Sequence, residues 1–211
     1  MESIWPCTLA CALAMSCSGI QRCTDGSWFP DTSQRLSRDH TSAWMPLANN
    51  LRRVSVEDRV EQYGGRADAR LRPAFERAGV AYPPGEVALL VFKDTRALEV
   101  YARDSNADDW RHVTSYDVCG ASGKPGPKLA EGDRQVPEGI YGIELLNPAS
   151  RFHLSLRLDY PNAFDRRMGA ADGRVNLGSD IMIHGGAFSV GCLAMGDDVA
   201  EDLFILAART G

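Results

Sequence analysis

Apolar and polar positions alternate strictly along residues 152–159: Phe152, Leu154, Leu156 and Leu158 on one side, His153, Ser155, Arg157 and Asp159 on the other. That period of two predicts a half-buried β-strand. Residues 87–92 and 98–101 are two further apolar runs, separated by Lys93-Asp94-Thr95-Arg96, and together they predict a β-hairpin. Looser runs over 113–118 and 139–146 add strands to the same body, and a short apolar run at 181–183 leads into His184. Helical spacing occurs in two places. Leu71, Ala74, Phe75 and Ala78 define an amphipathic helix over 68–79, with Gly79 at its end and Pro73 as a first-turn residue or a kink. Val199, Leu203 and Leu206 define a closing helix that Asp197 is placed to cap. The order is helix, mostly β body, helix, which predicts a mostly β (α+β) fold with flanking helices and shows no internal repeat.

Between the strands, residues 120–132 are rich in Gly and Pro and predict a loop of the kind that carries function on a β scaffold. Residues 20–60 lack either period over most of their length and predict a linker or extension. Residues 61–211 then form the main domain.

Composition narrows the possible partners. In 211 residues, 23 Lys and Arg stand against 28 Asp and Glu, and there is no long basic run to follow a phosphate backbone, so nucleic acid is excluded as an expected partner. No apolar stretch is long enough to predict a transmembrane helix in the mature chain. Residues 1–19 nevertheless carry a short apolar run with Ala12-Leu13-Ala14 and predict a secretory leader, despite the acidic Glu2 where a basic residue is usual. A lipoprotein-type leader acylated at Cys17 is the alternative. Either predicts export to the periplasm or cell envelope.

Four of the six cysteines lie within that leader region or just after it (Cys7, Cys11, Cys17 and Cys23), leaving Cys119 and Cys192 in the body. No C-x-x-C or H-x-x-x-H spacing occurs, which removes the usual sequence evidence for structural zinc, and no metal or organic cofactor is expected. An oxidising compartment would allow Cys23 to pair with Cys119 and leave Cys192 as the free thiol.

Reactive and small side chains concentrate at 183–195. His184 ends an apolar run and is followed by Gly185 and Gly186; Cys192 comes eight residues later, directly after Gly191. A cysteine nucleophile needs a nearby base, a backbone that turns sharply, and N–H groups aimed at a developing oxyanion, and this stretch contains all three types of part. A structural His-Gly-Gly turn beside a buried cysteine is the competing reading of the same residues.

The stretch His184-Gly185 to Ser189-Val190-Gly191-Cys192 resembles the active-site signature of the YkuD-type L,D-transpeptidases, cysteine enzymes of bacterial peptidoglycan. It is most similar to the YafK-like branch, where the segment from His to Cys is short. Three further segments carry the resemblance in the same order: Gly126-Pro127-Lys128 with Glu131-Gly132-Asp133, then Val136 to Tyr141, then Leu158 to Asn162 followed by Asp165-Arg166. Together they span 86–206. The resemblance implies a β-sandwich catalytic domain with flanking helices, Cys192 as nucleophile, His184 as base, and Gly191, Ser189 and Gly185 as residues that shape the site or its oxyanion hole. The larger group usually carries a second histidine just before Gly-Cys, where this chain has Val190. Lys128, His153, Tyr160 and Arg166 are candidate substrate-binding residues. The implied substrate is a peptidoglycan stem peptide, with transpeptidation first and hydrolysis, including release of an envelope lipoprotein, as the alternative. A non-catalytic peptidoglycan-binding module is the reading from another class.

Overall fold

A computed structural model describes residues 53–210 together with the backbone of a short strand at Thr8–Ala10. The expected leader over 1–19 lies outside the described residues apart from that strand, and so does most of the expected linker. Cys23, the expected partner of Cys119, also lies outside them. Cys119 is disulfide-bonded and Cys192 is free.

The first helix, α1, runs from Val56 to Ala78 and so takes in the last residues of the expected linker. Its start is written in a capping box: Ser55 Oγ accepts from the Asp58 amide at 3.2 Å, and Asp58 Oδ2 accepts from the Ser55 amide at 2.8 Å. Gly79, at φ 68°, closes it in the left-handed conformation. Pro73 lies well inside the helix, where neither the first turn nor the end would have placed it. Packing prevails over propensity here, because Ala67, Leu71, Ala74 and Phe75 are all buried on one face.

The strands form two sheets. Strands β2 (Glu86–Phe92), β3 (Ala97–Arg103) and β4 (Arg111–Asp117) make an antiparallel three-stranded sheet, and the hairpin turns where expected, at 93–96. The larger sheet contains β1 (Thr8–Ala10), β5 (Gly120–Ala121), β6 (Ile140–Asn147), β7 (Ser155–Leu158), β8 (Met182–His184) and β9 (Leu193–Ala194), in the order β1-β6-β7-β8-β9-β5. All its neighbours are antiparallel except β8 and β9, which are parallel. Helices α2 (Ala163–Ala171) and α3 (Asp197–Arg209) complete the body. Residues from both sheets, from α1 and from α3 enter one apolar core, with Phe75, Leu98, Leu154, Ile183, Met195 and Phe204 among its fully buried members. This is the expected α+β class.

Three local expectations are corrected. The alternation over 152–159 becomes a strand only from Ser155, because Phe152 and Leu154 both turn their carbonyls to the Gly185 amide, at 3.1 and 3.2 Å. His153 between them takes φ 67°. Asp197 does not cap α3: Gly196 occupies the cap position, and Asp197 Oδ1 instead accepts from the Gly186 amide at 2.8 Å. Helix α2, unannounced by its mixed pattern, is nucleated by a second capping box between Asn162 and Asp165.

α1 and α3 are joined by ionic contacts. Glu201, buried on α3, accepts from Arg66 and from Arg70 at 3.1 Å and faces His153 Nε2 at 2.7 Å. Burial alone would raise its pKa, but Arg66, His153 and Arg70 outweigh it and hold the carboxyl below its usual range. Glu201→Gln keeps the shape and removes the charge. It is expected to cost about 2–3 kcal/mol in urea unfolding, less than a fully enclosed pair because the guanidinium groups are partly solvated. A change under about 0.5 kcal/mol would show that the network does not hold the two helices.

Candidate active site

The central strand β8 carries the histidine. Ile183 is completely buried between β7 and β9, so the strand cannot slip without turning that side chain out, and His184 follows it, itself buried. The chain then leaves the sheet through Gly185. A Cβ at Gly185 would lie 2.5 Å from Asp197 Oδ1 and 2.8 Å from Phe152 O, so only glycine fits there.

His184 Nδ1 lies 2.6 Å from Gly185 O. A carbonyl only accepts, so Nδ1 carries the hydrogen and Nε2 holds the free lone pair. The Phe152 ring lies against the imidazole, with centroids 4.7 Å apart and planes at 31°. Burial pushes the histidine pKa below its ordinary value, against the opposing pull of the Gly185 carbonyl. The ring is therefore neutral at pH 7, with the Nε2 lone pair uncommitted.

Cys192 immediately precedes β9. The parallel register sets Ile183 beside Leu193 and His184 beside Ala194, so Cys192 falls beside Met182. Side chains two residues apart on a strand share a face, and residues in register share a face across strands, which puts Cys192 and His184 on the same side of the sheet. The thiol lies between two backbone groups: Sγ donates to Asp180 O at 3.7 Å and receives the Met182 amide. Burial pushes its pKa up, with the Met182 amide and the Lys128 ammonium pulling the other way and Asp180 adding to the rise. The resting pair is thus a neutral thiol and a neutral imidazole, rather than a preformed thiolate–imidazolium pair. Alkylation of Cys192 by iodoacetamide is therefore expected to be slow at pH 7 and to climb without a plateau up to about pH 9. A plateau near pH 6 would mean that the thiolate is preformed.

The Cys192 turn is held by hydroxyl groups. Gly191, at φ 97°, donates its N–H to Ser122 Oγ at 2.5 Å, Ser122 and Ser189 hydroxyls are 3.4 Å apart, and Ser189 donates to the Cys192 carbonyl. Ser189 and Gly191 both take part in the hydrogen bonds of this turn. Ser122, Asp180 and the Met182 amide were not visible in the motif, because they reach the thiol from loop and strand backbone elsewhere in the chain; the Gly- and Pro-rich loop was the signal for Ser122. Phe152, Phe188 and Val190 remain exposed.

The four candidate substrate-binding residues separate. Lys128 is buried and bound to Asp133 at 2.6 Å and to Ala130 O at 2.9 Å. Burial would raise the Asp133 pKa, but Lys128 and the amides of Ala130, Leu129 and Gln135 bring it to about 2. His153 is engaged with Glu201 and packed on Tyr63, with ring centroids 4.9 Å apart, away from the thiol's own hydrogen-bond partners. Tyr160 is in the core, its hydroxyl donating to Leu177 O at 2.9 Å. Arg166 is exposed on α2. Among the described residues no group of three metal-ligating side chains occurs, and no helix is long and apolar enough to cross a membrane.

The His184–Cys192 segment resembles that of the L,D-transpeptidases, and the chain is similar to several known proteins. No protein-family model matches the chain. Over 120 residues, 56% of this chain, it is 34% identical to YafK of Escherichia coli K12 and of Escherichia coli O157:H7, each named as a candidate L,D-transpeptidase. The chain spans about half the length of these curated relatives, 46% of each. The helical cell shape determining protein Pgp2 from Campylobacter jejuni shares the fold at TM-score 0.50 and 22% identity, over 68% of this chain and 52% of that one. Bd1075 from Bdellovibrio bacteriovorus matches at TM-score 0.41 and 27% identity, over 59% of this chain and 44% of that one. The chain resembles the YafK-like branch, as its motifs imply.

Proposed function

We propose that this protein is an exported cell-envelope enzyme that transfers an acyl group of a peptidoglycan stem peptide through a Cys192 thioester. The observation that carries the reading is the placement of Cys192 and His184 on one face of two adjacent parallel strands, with Nδ1 committed to Gly185 and Nε2 left as the base. In the first step Sγ rotates away from Asp180 O and gives its proton to Nε2. The S–C bond forms at the scissile carbonyl, and the tetrahedral oxygen is met by the backbone N–H of Cys192, the Gly191 N–H being held by Ser122. The C–N bond then breaks, and the departing amine takes the proton from His184. An incoming amine or water attacks the thioester, giving a cross-linked or a hydrolysed product and restoring the thiol.

The test is intact mass spectrometry of the full chain with tetrapeptide muropeptides, with and without an added amine, alongside analysis of the soluble products. A covalent adduct and a new cross-link establish a transpeptidase; an adduct with only shortened or released peptide establishes the hydrolase. Folded protein that gives neither adduct nor product overturns the reading and favours the binding module.

A further inference from the structure

The hydroxyl contacts around Cys192 have only one consistent direction. An amide N–H can only donate and a carbonyl can only accept. Ser122 Oγ therefore accepts from Gly191, at 2.5 Å, and spends its own hydrogen on Ser189 Oγ at 3.4 Å. The Ser189 hydrogen goes to the Cys192 carbonyl. The chain Gly191 N–H, Ser122 O–H, Ser189 O–H, Cys192 C=O thus leaves the backbone just before the nucleophile and returns to it just after the thiol-bearing carbon.

The support comes from the flank opposite the histidine. Ala121 of β5 pairs with Leu193 of β9, so Ser122 emerges beside Cys192 on the side of β9 away from β8. The nucleophile is held between a strand that carries the base and a strand end that carries this hydroxyl. An outside tie has a physical purpose, because Gly191 occupies the left-handed region at φ 97°, where glycine has many alternatives and nothing local selects one.

We infer that Ser122 is a positioning residue for acylation: through its bonds to Gly191 and Ser189 it ties the Val190–Gly191 peptide plane and, by way of Ser189, the Cys192–Leu193 plane, and so sets the direction of the Cys192 amide between them, which receives the tetrahedral oxygen. The inference rests on the reading of Cys192 as an acyl-accepting nucleophile, and on no particular acyl donor. It separates two reactions of the same thiol. Attack on an ester builds a tetrahedral oxyanion and depends on amide direction; alkylation by iodoacetamide displaces iodide, builds no oxyanion, and depends only on the thiol.

The experiment compares the full-length wild type with Ser122→Ala and Ser122→Thr. Acetylation of Cys192 by p-nitrophenyl acetate and alkylation by iodoacetamide are each followed by intact mass, and folding is checked by thermal melting. Ser122→Ala is expected to slow acetylation about tenfold or more while alkylation changes less than about twofold. Ser122→Thr restores acetylation. Unchanged acetylation in Ser122→Ala overturns the inference, as does an equal fall in both reactions, or a folded Ser122→Thr that fails to restore the rate. A wild type that alkylates but is never acetylated removes the nucleophile reading and the role of Ser122 with it. A wild type that acetylates, with the expected Ser122→Ala loss, but processes no muropeptide keeps the inference and removes the peptidoglycan reading.

Discussion

Cys192→Ala is expected to abolish turnover, by about 10³-fold or more, while the protein keeps its fold. The loss follows from chemistry: no other thiol among the described residues is free, since Cys119 is disulfide-bonded. The retained fold follows from packing. The thiol donates one long hydrogen bond to the Asp180 carbonyl and accepts from the Met182 amide, and Cys192 is only half-buried, so its removal costs about 1 kcal/mol. Muropeptide turnover and a urea melt on the same sample check both halves, and residual turnover above about a tenth of wild type would sink the mechanism.

His184→Ala is expected to lower turnover by about 10²–10⁴-fold and to change its pH dependence. In the wild type the working state needs a neutral imidazole. Because burial lowers the histidine pKa, that state persists into mildly acidic solution, and activity falls only as the pH drops through a value below the usual histidine range. Without His184 the thiol must ionise unaided. Its pKa is raised by burial, so the remaining rate should climb through neutral pH and beyond, with no acid limb from a histidine. A variant that keeps the wild-type pH profile would assign the base to another group.

The residues that reveal their positions in sequence are those with a local cause. The hairpin of β2 and β3 was legible because its apolar runs and polar turn are adjacent, and the His184-to-Cys192 segment because all its parts lie in one stretch. Helix α1 was legible only in its second half: Gly64, Gly65 and Pro73 argue locally against a helix, and burial of Ala67 and Leu71 against the rest of the fold decides the matter. His153 followed the period of two and yet left the strand, because Glu201, far along the chain, and the Gly185 amide compete for that segment. Lys128 and Tyr160 looked available for substrate as sequence positions, and each is committed to a partner the sequence does not place beside it. The thiol's nearest groups, Asp180 O and the Met182 amide, belong to the backbone, which has no signature in residue identity.

The parallel pairing of β8 and β9 is made by residues 185–192, much shorter than the helical crossover that joins most parallel strands. That brevity makes the reacting pair a single cassette whose span is set by the ladder on either side of it. Adding residues beside the exposed Phe188 would remodel the mouth of the site while the ladder and the Ser122–Ser189 tie preserved the placement of His184 and Cys192. Moving the register of β9 by one residue would instead send Cys192 to the opposite face of the sheet. Variation in loop length and variation in strand register therefore have opposite meanings for the proposed pair: the first leaves His184 and Cys192 together, and the second parts them.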